Sequence, residues 1–196
     1  MPKPKNELPS FHAHNRQEWR AWLTEHHASA PGVWLIYYKK ASGKPAISYD
    51  EIVEEALCFG WVDSRPNALD DERAMFLVSP RNPQSPWSRL NKQRVERLIE
   101  QGLMTGAGLV KIEAARQNGA WNQYDDIEDL IIPDDLQTAL DANPAAQTNF
   151  AVFPPSSKKT ILWWIASAKR PQTRAKRIEE TVTLAAKNIK ANHYRQ

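Results

Sequence analysis

The chain has 196 residues and a formal net charge of +3, with 41% hydrophobic and 25% charged residues, the proportions of a soluble globular protein. No apolar run approaches the roughly 20 residues of a membrane span, which argues against a helical membrane protein. The single cysteine, Cys58, excludes an internal disulfide and a cysteine-based metal cluster, and predicts a reducing, cytoplasmic home.

The N-terminal stretch MPKPKNELPSFHAHN carries basic residues with no apolar segment behind them, so it does not read as a signal peptide. Pro2, Pro4 and Pro9 predict a flexible arm over residues 1–14. Asn15 and Glu18 have capping-box spacing and open a helix whose inner face holds Trp19, Trp22 and Leu23; Pro31 and Gly32 end it. GVWLIYYKK, rich in aromatic and branched residues between two glycines, predicts a strand. Ser48 and Glu51 form a second capping box before YDEIVEEALCF, a helix with Ile52, Ala56 and Phe59 on its apolar face and Gly60 as its left-handed stop.

WVDSR and RAMFLVS follow as two strands, close enough in sequence to pair as an antiparallel hairpin. Ser85 or Ser88 caps a third helix with Leu90, Val95, Leu98 and Ile99 inward and Gly102 at its end. GAGLVKIEAARQN is a fourth, in which the GAG at 106–108 lets the helix start close to the third; Trp121 folds back on its terminus. The remainder reads as helices: PDDLQTALDAN, PAAQTNFAVF, PPSSKKTILWWIASAKR with Ile161, Trp164, Ile165 and Ala168 inward, and TRAKRIEETVTLAAKNIKA with Ile178, Val182, Ala185 and Ile189 inward. The fold expected is α+β. A small antiparallel sheet of about three strands flanked by helices spans 15–121, an acidic linker 122–132, and an all-helical region 133–196.

The segments EEALCFGWVDS, SPRNPQSPWSRLNKQRVERLIEQGLMTGAG and FPPSSKKTILWWIASAKRPQTRAKRIEETV together resemble the YdeI/OmpD-associated, or bacteriocin-protection, family. The resemblance runs from about Trp19 to about Asn188. The N-terminal unit is also similar to the YjbR-like, frataxin-related α+β fold. The resemblance implies a role in tolerance of cationic antimicrobial peptides or bacteriocins and an association with an outer-membrane porin; the expectation drawn from it is a binding protein in stress or such tolerance, its partner unknown, with a protein as one option. It carries no catalytic residue set and no cofactor.

One constellation reads as the candidate site of a small-ligand-binding protein or an enzyme: Trp61, Asp63, Ser64, Arg81, Trp87, Ser88 and Asn91. Trp61 and Asp63 share a strand face. Trp87 and Asn91, four apart, line the head of the third helix, whose free N–H groups suit an anion. The structural alternative is an Asp63–Arg81 ion pair with the Trp rings as core and Ser88 as a cap.

Cys58 reads as a core residue rather than a nucleophile, because Glu54 and Glu55 precede it and no cation lies beside it in sequence. His12, His14, His26 and His27 lack the one-face spacing of metal ligands, so no metal site is expected.

Charge is uneven. Residues 120–155 hold seven acids and no Lys or Arg, whereas 156–196 hold ten bases and two acids. Lys158, Lys159, Lys169, Arg170, Arg174, Lys176 and Arg177 thus form a stripe that either meets an anionic partner, nucleic acid among them, or is neutralised by the acidic segment of the same chain. Trp163, off its helix's main stripe, covers a second neighbour or is exposed for a partner.

Overall fold

The computed structural model describes residues 8–193. The chain divides into two units, Met1–Asn122 and Gln123–Gln196.

In the first unit, strand β1 (Ser10–His12) leads into helix α1 (Arg16–His26), whose cap is Asn15, accepting from the Glu18 amide at 2.9 Å. Strand β2 (Val33–Tyr38) is followed by a 3-10 turn over Lys40–Ser42. Helix α2 (Tyr49–Cys58) opens on the Ser48–Glu51 capping box and closes at Gly60, φ +71°. Strands β3 (Trp61–Ala68) and β4 (Arg73–Pro80) form the hairpin, and helices α3 (Arg89–Glu100) and α4 (Gly106–Gln117) complete the unit.

The sheet has four strands, not about three, in the order β1-β2-β4-β3. The additional strand, β1, falls in the stretch expected to be an arm. It pairs parallel with β2, Phe11 opposite Leu35, and places Ala13, fully buried, at the start of the core. A strand of three residues is too short to display alternation in sequence. Pro2 and Pro4 lie outside the described residues.

β2–β4 and β3–β4 are antiparallel, with a bulge between Asp63 and Arg65. Paired residues share a face, so Asp63, opposite Val78 and through it Val33, points with Trp61 to the side that packs on the helices.

α2 is the hub. Ile52 through Cys58 are all buried, because α2 is wedged between the sheet with α1 on one side and α3 with α4 on the other. Trp19, Leu23, Leu35, Ile52, Ala56 and Trp61 belong to the first core; Val53, Leu57, Trp87, Val95, Ile112 and Ala115 form a second against α3 and α4. The inward face of α3 differs from expectation. Val95 and Leu98 are buried, but Leu90 and Ile99 are exposed at 54% and 42%, and Arg94 takes the inner position because it meets Asp50 of α2.

Nor does the GAG stretch let α4 approach α3; it lets α4 approach the end of α2. A methyl group on Gly108 would stand 2.5 Å from the Cys58 carbonyl oxygen and 2.8 Å from that of Leu57. Trp121 does fold back, its amide donating to Ala115 O at 3.0 Å.

The second unit is helical: α5 (Asp125–Glu128), α6 (Asp134–Asp141), α7 (Pro144–Ala151), α8 (Pro155–Ala166) and α9 (Pro171–Ala185). Its core includes Leu136, Leu140, Phe150, Ile161, Ile165 and Ile178. Ile127, within the stretch read as a linker, is buried in that core. Ala168 and Ile189 fall beyond the ends of α8 and α9. No helix among the described residues is long and apolar enough to cross a membrane.

Candidate functional site

The seven residues expected to converge divide into two groups. Asp63 does not pair with Arg81. Its Oδ2 accepts from the Tyr49 hydroxyl at 2.9 Å, because the core-facing side of β3 meets the first turn of α2. The Tyr49 hydroxyl is pushed up to about 12 by burial and then by the Asp63 carboxylate. Trp61 is buried and donates its indole N–H to His27 O at 3.1 Å, and Ser64, in the bulge, donates to Leu77 O.

The second group does meet. Arg81, 4% exposed, lies over the Trp87 ring at 3.9 Å and donates to the carbonyl oxygens of Ser85 (3.2 Å) and Pro86 (2.6 Å). It has no carboxylate partner among the described residues, and its Nε is buried without an acceptor. Burial alone pulls its guanidinium down to about 10, so it remains a cation at neutral pH. Trp87, 2% exposed, also packs on Trp121. Ser88 is the α3 cap, accepting from the Asn91 amide, and Asn91 Oδ1 accepts from Arg94. The arrangement fastens the 81–88 loop to α3: the cation–π contact and two carbonyl acceptors compensate a desolvated charge.

A larger charged assembly joins α1, α2 and α3. Glu55, 1% exposed, accepts from Arg16 Nε at 2.6 Å and Arg20 Nη1 at 2.7 Å. Glu54 accepts from Arg16 at 3.0 Å and is paired with Arg97. Arg16 and Arg20 at i, i+4, ahead of adjacent glutamates in a buried helix, were the signal for it in the sequence.

Cys58 sits beneath this assembly, fully buried; burial, and after it the Glu55 charge, push the thiol up to about 11. The shift favours the protonated, unreactive thiol. A disulfide reagent at neutral pH should therefore leave the native thiol unmodified over the time in which it titrates one thiol per chain in urea. Rapid native labelling would contradict the burial.

His26 and His27 each direct Nδ1 at a helix carbonyl, of Trp22 and Leu23 respectively, and His12 lies against His14, ring centroids 4.3 Å apart. Among the described residues no group of three or more His, Cys, Asp or Glu could hold a metal ion.

In the second unit the basic stripe is largely engaged. Arg174 forms a two-pronged pair with Asp135 (2.6 and 2.8 Å), Lys159 pairs with Glu128, Lys158 donates to Ala151 O, and Arg177 donates to Trp164 O and Ser167 Oγ. Lys169, Arg170 and Lys176 remain exposed. Trp163 is half-buried against the Tyr124 ring, 5.4 Å away. Between α6 and α9 lies a groove of about 630 Å³ lined by the apolar Ala139, Ala142, Ala175, Ile178 and Val182 and by the charged Asp135, Arg174 and Glu179.

Two family models match the chain. Residues 11–111, just over half of its length, match a domain of unknown function, DUF8412. The chain belongs to this family. The DUF8412 match covers the sheet and α1 to α3 and reaches into α4, where the sequence motifs suggested a YjbR-like or frataxin-related unit; that resemblance finds no support. Residues 129–188 match the family described as Bacteriocin-protection, YdeI or OmpD-Associated, in agreement with the C-terminal motifs. That match spans α6 to α9 and thus both walls of the groove. No curated protein and no solved structure matches the chain.

Proposed function

We propose that this protein is a cytoplasmic binding protein acting in stress, in the tolerance of cationic antimicrobial peptides or bacteriocins, and that it works by holding a peptide rather than by catalysis. The observation that carries this reading is the apolar groove between α6 and α9, inside the segment that matches the bacteriocin-protection model. Its small lining residues let a helix approach closely, and Ile178 and Val182 supply apolar contact. Arg174 is already neutralised by Asp135, which leaves Glu179 as the uncompensated charge lining the groove and favours a cationic amphipathic helix. The lone, buried Cys58 suits a reducing compartment.

The test pairs a binding assay with a phenotype. A labelled Lys/Leu amphipathic peptide is titrated with full-length protein by fluorescence anisotropy. Ala175→Trp, an exposed lining position, should fill the groove and weaken binding by about tenfold or more without changing the circular dichroism spectrum. A strain lacking the gene should be more sensitive to cationic peptides, and only the wild-type gene should restore it. Equal affinity in Ala175→Trp, or unchanged sensitivity, would remove the reading.

A further inference from the structure

A second concavity lies in the first unit and is independent of the groove. It has a volume of about 530 Å³ and is bounded by the end of β2, the loop through Gly43 and the start of α2. Its walls are aromatic. Tyr37 lies parallel on Phe76 (5.2 Å, 3°), Tyr49 packs against the same Phe76 ring at 5.2 Å, and Tyr38 lines the outer side.

Its charged lining residues are Lys40 and Lys44. Lys40 is exposed and has no ion-pair partner among the described residues. Lys44 lies over the Tyr38 ring at 4.9 Å and is bound on one side by Glu72 at 2.6 Å. Nearby carboxylates are otherwise occupied: Glu51 by the Ser48 amide and hydroxyl, Asp63 by Tyr49. The hydroxyls of Tyr37 and Tyr38 make no hydrogen bond among the described residues.

We infer that this cleft binds a mononucleotide, or an anion of that size and shape: a planar ring on the tyrosine wall and a phosphate at the two lysines. The volume falls in the range of small-ligand sites. Tyrosine faces accept any planar base, and ammonium groups meet phosphate as point charges. The α2 N-terminus does not take the phosphate, since the Ser48–Glu51 box already fills it. A long polynucleotide fits less well. Asp70, Asp71 and Glu72 make up the neighbouring turn, which Lys39 joins to the cleft by donating to Asp70 O; Asp70 is paired with Arg73 and Glu72 with Lys44, and the exposed Asp71 carboxylate repels a continuing backbone.

The experiment is calorimetric titration of the full chain with AMP, GMP, CMP and UMP, with adenosine and inorganic phosphate as the separated halves, and with a short oligonucleotide. At least one mononucleotide should saturate one site per chain and bind about tenfold tighter than either half. Lys40→Glu, at an exposed position, should abolish that gain, and Tyr37→Leu should weaken base binding with the fold checked by circular dichroism. Absence of binding by all four nucleotides, affinity unchanged in Lys40→Glu, or tighter binding of the oligonucleotide would each overturn the inference. Loss of the groove's peptide binding in Ala175→Trp bears only on the other unit.

Discussion

Glu55→Ala should destabilise the first unit by about 3 kcal/mol, the lower edge of what breaking a buried ion pair costs. Glu55 is 1% exposed and its two oxygens hold Arg16 and Arg20, so removing the carboxylate leaves two guanidinium groups facing a desolvated pocket. The loss stays at the lower edge for two reasons. Arg16 retains Glu54 and Arg20 retains Leu103 O, and both arginine side chains are about one-third exposed and can regain some water. Glu55→Gln keeps the shape and one acceptor and should cost less. The measurement is the urea midpoint followed by tryptophan fluorescence, with the slope checked for constancy. A change under about 1 kcal/mol in Glu55→Ala would mean that this assembly behaves as a surface pair.

That assembly left a signal in the sequence, its i, i+4 arginines and adjacent glutamates, but not the pairing between them. Features closed within a few residues were readable: Asn15 and Ser48 as caps, Ser88 as one of two cap choices with Ser85, Gly60 as a left-handed stop, the β3–β4 hairpin. Each is fixed by the chemistry of neighbours in the chain. Asp63 was readable as sharing the strand face of Trp61, but its partner was not, because Tyr49 is 14 residues away on another element. The hairpin brought Arg81 near Trp61, whose partner is Pro80, while the register sets Asp63 opposite Val78 and away from it.

The face of α3 misled for the same reason. Periodicity counts apolar residues, and it placed Leu90 inward where the fold buries Arg94, whose position is decided by Asp50 on a different helix. Local strand length hid β1, and a buried Ile127 turned an apparently acidic linker into part of a core. In the second unit the segregation of acids into one segment and bases into the next suggested internal pairing, and Asp135–Arg174 and Glu128–Lys159 are such pairs.

Gly108→Ala tests the packing of α4 on α2, and here two effects of opposite sign compete. Alanine is the better helix former by about 1 kcal/mol. Against this, its methyl group meets two backbone carbonyl oxygens inside 3.0 Å, and backbone cannot rotate aside as a side chain can. Cys58 O accepts from the Thr105 amide (3.2 Å) and hydroxyl (2.6 Å), and Leu57 O from the Gly60 amide. Moving α4 outward therefore strains or breaks the Thr105 bonds that anchor its start. Overpacking at about 1–3 kcal/mol, together with weakened hydrogen bonds at about 1 kcal/mol each, exceeds the propensity gain. The expected result is a net loss of about 2 kcal/mol, read as a lower urea midpoint. Gly106→Ala, two residues earlier with nothing within 4 Å of the added methyl, should instead be neutral or slightly stabilising. If both variants prove equally stable, the close approach of α4 to the end of α2 is not what the glycine is for.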